Sequence, residues 1–395
     1  MITLLTGLLS VLALLVLLPV LLLFTQVVLA CLPARALPAP HGTRPRLAVL
    51  VPAHNEAAVI GATLASIQAQ LHEDDRVLVV ADNCSDDTAA LARAAGAQVA
   101  ERQHAQLRGK GYALDHGVRQ LAESPPQVVI IIDADCKVTA GSFDYLARGC
   151  VDSGRPVQAL DLMRAPPGAG LKVQVAEFAW RMKNLVRPRG MRRVGLPCQL
   201  MGTGMAFRWE DLATANLATG HLVEDLKLGL DFCRAGKPPL FCPEAEVISL
   251  FPLSQEGLSN QRTRWEHGHL GVLLSDGPRL VCSALARGNV PLLAMALDLL
   301  VPPLALLSLV LAATFTLSWL AGLWLGVWLP AALSSVALSL LLTAVVLAWG
   351  RFSREVIPFS VLIYAPFYAA RKIPLYLGFL IRRQVEWVRS RREGD

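Results

Sequence analysis

The chain has 395 residues, 54% of them hydrophobic, with a mean hydropathy of +0.46, which is too apolar for a wholly soluble protein and assigns part of the chain to a bilayer. A net charge of +6 suits anionic lipid, phosphorylated substrates or nucleic acid, but no basic recognition helix or finger motif supports nucleic acid as a partner. The 8 cysteines show neither CxxC pairing nor the dense spacing of a secreted scaffold, which excludes structural zinc and a disulfide framework and reads as reduced thiols facing the cytosol.

Leu4 to Ala30 is an apolar run broken by Pro19 and a few small polar residues. At about 1.5 Å per residue, some twenty of these residues cross a hydrocarbon core of about 30 Å, so residues 1–32 are expected to form a transmembrane helix. The run lacks the basic leader of a signal peptide and is longer than one needs. Val28 to Cys31 resembles a lipoprotein cleavage site, but lipidation would export the following domain, against the nucleotide chemistry expected from the motifs described below. Arg35, Arg44 and Arg46 follow the run and nothing basic precedes it, which places the downstream domain in the cytoplasm at the inner (plasma) membrane. Residues 33–46 are proline-rich and read as a linker.

From Leu47, strand and helix patterns alternate. Leu47 to Val51, Arg76 to Ala81, Gln98 to Glu101 and the run from Val128 to Asp133 read as strands; Glu56 to Ala69, Asp86 to Ala95 and Lys110 to Ala122 read as helices. Alternation with short turns predicts an α/β, Rossmann-like doubly wound parallel sheet, with ligands at the carboxyl ends of its strands.

The turns carry the candidate chemistry. The first strand ends in Pro52, Ala53, His54, Asn55 and Glu56, which face that edge. The second ends at Asp82, placed to accept hydrogen bonds from a base or ribose. No GxGxxG fingerprint is present, which disfavours NAD. Arg108, Gly109, Lys110 and Gly111 form a small basic turn that suits a phosphate or, alone, is an ordinary exposed lysine at a helix start. The run VVIIIDADC stops abruptly at Asp133 and Asp135. On an extended chain, residues two apart point the same way, so the two carboxylates would present a hard cation, Mg2+ or Mn2+, with two oxygen ligands while substrate phosphates complete its shell; alternatively the pair simply ends a strand in a turn.

Gln158 to Gly195 reads as a long helical pattern around Glu177, Trp180 and Arg181, covering the active site; its Lys183, Arg187, Arg189, Arg192 and Arg193 also fit a rim against lipid headgroups. His267 and His269 lack a third ligand and read as structural. Val301 to Gly326 and Ala331 to Trp349 are each long enough to cross a membrane, with Arg351 and Arg354 returning the chain to the cytoplasm. Val356 to Leu380, interrupted by Pro358, Pro366, Arg371, Lys372 and Pro374, reads as interfacial or re-entrant helices, and Arg382 to Arg392 as a basic tail.

VPAHNE, ADNCSDDT, RGKGYALD and DADC, in that order, resemble the nucleotide-sugar motifs of family 2 glycosyltransferases with the GT-A fold. The resemblance continues through LMGTGMAF, LVEDLKLG and QRTRW, covering Leu47 to Gly271. It implies a GT-A domain over 47–275, followed by a transmembrane and interface region over 276–395. It further implies donor contacts from Pro52, Ala53, Asn55, Glu56, Asp82, Lys110, Asp133, Asp135, Gln261 and Arg264, with the divalent cation on Asp133 and Asp135. Acceptor contacts would come from Gly202, Thr203, Gly204 and Trp265, and Asp225, beside Glu224, would be the general base. Val223 departs from the Thr that often precedes the Glu-Asp pair. The expected function is inverting transfer from a nucleotide-sugar, UDP-linked, to a membrane lipid or lipid-linked saccharide, for glycolipid or exopolysaccharide synthesis. A processive polysaccharide synthase working as a homo-oligomer or with an export partner, a non-catalytic membrane scaffold and a phosphosugar transferase are the alternatives.

Overall fold

The runs LAVLV, VLVVA and VVII carry no polar interruption, because both faces of the sheet they form are covered. The structure, a computed structural model, describes residues 2–33, 43–252 and 255–381. Most of the expected 33–46 linker and the basic tail after Arg382 lie outside the described residues. The described residues divide into two units, one of residues 43–166, 196–252 and 255–268, the other of residues 2–33, 167–195 and 269–381.

The first unit is an α/β layer structure on one eight-stranded sheet. Its strands are β1 (Leu47–Ala53), β2 (Arg76–Asp82), β3 (Gln98–Arg102), β4 (Val128–Ile131), β5 (Lys137–Val138), β6 (Val157–Arg164), β7 (Met205–Arg208) and β8 (Leu240–Leu250), in the order β3-β2-β1-β4-β7-β6-β8-β5. β3, β2, β1 and β4 are parallel, joined through the helices Ile60–Gln68, Thr88–Ala94 and Lys110–Leu121. The sheet is mixed beyond β4: β7 is antiparallel to both β4 and β6, and β5 to β8. The mixed half was not legible as such, because Gln158 to Arg164, expected to open a helix, is strand β6. Its side chains Val157 to Met163 are buried by neighbours distant in sequence, and that burial overrides the local pattern.

One side of the sheet packs Val49, Val51, Ile130 and Val247 with Ile60, Leu64, Phe143 and Leu146. The other packs Leu50, Val80 and Ile131 with Leu114, Leu121, Phe207 and Phe232. Phe232, on the Glu224–Arg234 helix, stacks on Phe207 of β7 at 5.3 Å between ring centroids, which seats that helix on the sheet.

The second unit is helical. Three of its helices are long and apolar enough to cross a membrane: Thr3–Cys31, Leu304–Leu325 and Leu329–Phe352. Leu4, Leu8 and Trp324 stay exposed on them, as lipid-facing side chains would. Phe359–Ala370 and Ile373–Ile381, at 12 and 9 residues, are each too short to cross alone. Polar groups are buried here as a closed set. Gln26 donates to Asp298 Oδ1 at 2.7 Å and accepts from Arg187 Nε at 3.2 Å, while Arg187 Nη2 lies 2.7 Å from the same carboxylate oxygen. Glu177 and Arg181 form a second buried pair at 3.0 Å. A π-helical turn, Met182–Val186, separates these two sets.

Candidate active site

Parallel pairing of β1, β2 and β4 puts their carboxyl ends along one edge, and antiparallel pairing of β7 with β4 brings the loop entering β7 to the same place. Ile131 pairs with Met205, and the Gly204 N–H donates to Ile131 O at 2.9 Å. The Gly202–Gly204 loop thus lies against Asp133 across 70 residues of sequence. The Asp133 N–H donates to Thr203 Oγ1 at 3.1 Å, and Thr203 is only 4% exposed.

β4 ends at Ile131, so the extended-chain reason for Asp133 and Asp135 sharing a direction does not hold. The Cys136 N–H donates to Asp133 O at 3.1 Å, which closes a turn over Asp133 to Cys136. The turn nevertheless keeps the two carboxylates close enough that Asp135 opposes ionisation of Asp133.

Lys110, at the first position of its helix, reaches into this loop. Its ammonium pairs with Asp133 and donates to Gly202 O at 2.9 Å. A Cβ on Gly202 would lie 3.4 Å from Asp225 Oδ2 and 3.5 Å from Lys110 Nζ, ordinary contact distances that place the loop beside both groups. Gly202 has φ +93 and Gly204 φ +66, left-handed values that glycine adopts without strain. Gly111 serves the same packing: a Cβ on it would come within 2.6 Å of the Leu217 and Thr219 carbonyls, in the segment leading to Glu224.

Glu224 and Asp225 occupy the first turn of their helix. Burial and the adjacent Asp225 push the Glu224 carboxyl up to about 7, against the pull of Lys110. Burial likewise raises Asp133, offset by Lys110 and reinforced by Asp135 and Asp225. Burial depresses the Lys110 ammonium, but Asp133, Glu224 and Asp225 together overcome it and hold the group above its ordinary value. Arg264, on the Gln255–Ser275 helix, is pulled down by burial while Glu224, Asp133, Asp135 and Asp225 act against that. Four carboxyl groups therefore face two cations, a surplus of acids over bases.

That surplus and its hard oxygen donors fit a divalent ion. Among the described residues no three His, Cys, Asp or Glu side chains converge into a finished metal site. A pair of carboxylates is what Mg2+ or Mn2+ takes when phosphate oxygens complete the shell.

Gln261, on the same helix as Arg264, is 8% exposed and its Oε1 is buried without a hydrogen-bond partner. Gly268 lets the helix close on the segment before Glu224, where a Cβ would lie 2.7 Å from Val223 Cγ1. Trp265 is half-buried.

The β1 and β2 turns brace each other. Asn55 Oδ1 accepts from the Ser85 N–H at 2.7 Å, the Glu56 N–H donates to Thr88 Oγ1 at 2.8 Å, and the Ala57 N–H donates to Asp86 Oδ2 at 3.1 Å. Asn55 and Asn83 both adopt positive φ, 55 and 52, which asparagine tolerates better than most residues. Pro52 and Ala53 form the end of β1 above this turn. Asp82 pairs with Arg102 Nη1 at 2.5 Å and accepts from Asn83 Nδ2 at 2.9 Å, so its carboxylate already holds a cation.

Arg102 and Gln158 escaped sequence reading. Arg102 meets Asp82 through parallel register and lies 5.6 Å from the Tyr112 ring centre. Gln158 is wholly buried; its Nε2 donates to Thr203 O at 2.8 Å and its Oε1 accepts from the Met201 N–H at 2.8 Å. A lone glutamine inside the run VQALDLM is the signal that marks it. His269 lies in the helical unit, where burial, Lys183 and Arg187 press its imidazole down to about 3 and keep it neutral.

The protein family described as Glycosyltransferase like family 2 matches residues 45–268. The chain belongs to this family. The family 2 segment is also similar to the probable glycosyltransferase YdaM of Bacillus subtilis (strain 168), 27% identical over 253 residues covering 58% of this chain and 56% of the relative. It is similar to the poly-beta-1,6-N-acetyl-D-glucosamine synthase of Staphylococcus aureus (strain COL), 24% identical over 236 residues, covering 58% of this chain and 55% of the relative. The chain thus spans about half the length of the curated relatives it matches. Among solved structures, the mannosyltransferase PcManGT of Pyrobaculum calidifontis, in complex with GDP-Man and Mn2+, superposes with a TM-score of 0.55 at 19% identity, covering 92% of this chain and 98% of that one. At that identity the likeness establishes the GT-A-like fold of this glycosyltransferase.

Proposed function

We propose that this family 2 glycosyltransferase moves a hexose from a nucleotide-sugar, UDP-linked, to the hydroxyl of a membrane lipid or lipid-linked saccharide, with inversion at the anomeric carbon. The carrying observation is the convergence of Lys110, Asp133, Asp135, Glu224, Asp225 and Arg264, drawn from four separate segments, with four acids to two cations. Asp133 and Asp135 would hold Mg2+ or Mn2+; PcManGT is in complex with GDP-Man and Mn2+. A bound divalent cation supplies Lewis-acid stabilisation of the diphosphate leaving group. Arg264 and Lys110 add positive charge towards the same diphosphate. Asp225 accepts the proton of the attacking hydroxyl, a role that contributes on the order of 100- to 10,000-fold. Inversion follows from a single displacement in which Asp225 acts as base and no covalent sugar-enzyme bond forms. Gly202, Thr203, Gly204 and Trp265 line the acceptor side.

Three helices able to cross a membrane on the same chain support an acceptor anchored in lipid, and a multi-pass protein of the inner membrane with its α/β unit in the cytoplasm. The likeness to a poly-beta-1,6-N-acetyl-D-glucosamine synthase favours a second reading, repeated addition to a growing polymer, alone or with an export partner.

The purified full chain, incubated with UDP- and GDP-sugars, Mn2+ or Mg2+ and a membrane lipid extract, is expected to release nucleoside diphosphate and glycosylate lipid. Asp225→Asn should lower turnover at least about 100-fold with folding intact. Wild-type turnover in that variant would remove Asp225 from its role. A single added sugar supports the first reading and a ladder the second; release of UMP would indicate a phosphosugar transferase instead.

A further inference from the structure

We propose that Lys110 is a resident counter-cation: it holds Asp133 and the Gly202–Gly204 loop together until a divalent ion loads, and loading displaces it from Asp133. The inference rests on the reading that Asp133 and Asp135 hold the cation.

Three features carry it. Lys110 bridges two partners at once, pairing with Asp133 and donating to Gly202 O at 2.9 Å. Its ammonium is the positive group in contact with the very carboxylate that a divalent ion would take. An ammonium and a dication on one carboxylate repel each other, and the dication has the stronger claim where phosphate oxygens complete its shell. Finally, the lysine is built to move. Its charge rides on a flexible four-carbon stem, and Gly109 before it has φ +122, a conformation open to glycine.

Displacement has a defined consequence for the loop. Gly202 would lose its hydrogen bond to the ammonium, whereas Thr203 would remain fixed through Asp133 N and Gln158. The loop would loosen at Gly202 alone, the residue that approaches both Asp225 Oδ2 and Lys110 Nζ. The freed ammonium stays within the field of Glu224 and Asp225 and of any diphosphate bound beside them. Cation loading, loop release and delivery of positive charge to the donor thereby become one event.

The test measures Mn2+ binding to the purified full chain without nucleotide, by the electron paramagnetic resonance signal of free Mn2+. Lys110→Met is expected to bind Mn2+ about tenfold more tightly than wild type, an ordinary coupling between two cations competing for one site. Lys110→Arg, which keeps the charge, should bind like wild type. Lys110→Gln carries the same expectation as Lys110→Met should the methionine variant fail to fold. In parallel, Mn2+ should speed amide exchange at Gly202 in wild type and leave it unchanged in the neutral variant. Equal or weaker Mn2+ binding in a folded neutral variant overturns the counter-cation role and leaves the Asp133 and Asp135 site standing. Absence of binding in wild type and variants alike, with UDP present as well as absent, overturns the metal site itself and this inference with it.

Discussion

Gln158→Leu tests whether one buried side chain holds the catalytic loop. Leucine nearly matches glutamine in size, so the perturbation is chemical rather than steric. Gln158 is wholly buried; it donates to Thr203 O and Ala159 O at 2.8 and 2.9 Å and accepts from the Met201 N–H at 2.8 Å. Ala159 O is its own neighbour and loses least. The Met201 donor and the Thr203 acceptor lose a buried partner, at about 1 to 3 kcal/mol each, a total of about 2 to 6 kcal/mol. At about 2 to 4 °C per kcal/mol for a unit of this size, melting should fall by roughly 4 to 24 °C. The assay is intrinsic fluorescence melting in detergent, paired with nucleoside diphosphate release at a temperature where the variant is folded. Because the loop carries Gly202 O to Lys110, turnover should drop on the order of 100-fold, the usual effect of a misplacement near 1 Å. A melting temperature within about 2 °C of wild type with unchanged turnover would refute the account, because such a loop would be held without Gln158.

Two further outcomes follow from the same geometry. Glu224, raised from 4.5 to about 7 by burial and Asp225, makes the folded protein bind more protons than the unfolded chain between those values. Stability from this group is therefore present below pH 4.5 and lost as pH rises through about 7. Glu224→Gln should flatten that decline and melt higher than wild type at pH 8; an equal slope from pH 5 to 8 would contradict it. Gly111→Ala would set a methyl 2.6 Å from two backbone carbonyls, at a cost of about 1 to 3 kcal/mol. It should also weaken nucleotide-sugar binding by tilting Lys110, read by calorimetry; a variant as stable as wild type would mean the 217–219 segment yields freely.

Local pattern determined the parallel half of the sheet, the three apolar helices and the order of the motifs. Each depends on nearest-neighbour physics: alternation of β-branched runs with helix patterns, about twenty apolar residues per bilayer, and turn residues at strand ends. Leu47, Arg76, Gln98 and Val128 were legible as strand starts, and all four begin strands. Gln158 to Arg164 was not legible, because a strand whose partners are β7 and β8 owes its state to chains 40 to 90 residues away. Asp133, Asp135, Glu224, Asp225 and Arg264 could be singled out one by one. That Lys110 would pair with Asp133, that Asp82 would already hold Arg102, and that Gln158 would pin the loop depended on strand register and on glycines with no Cβ to block approach. Sequence determines which groups a segment offers; only the closed sheet, by excluding water and bringing distant strand ends together, decides which of them meet and how each is charged.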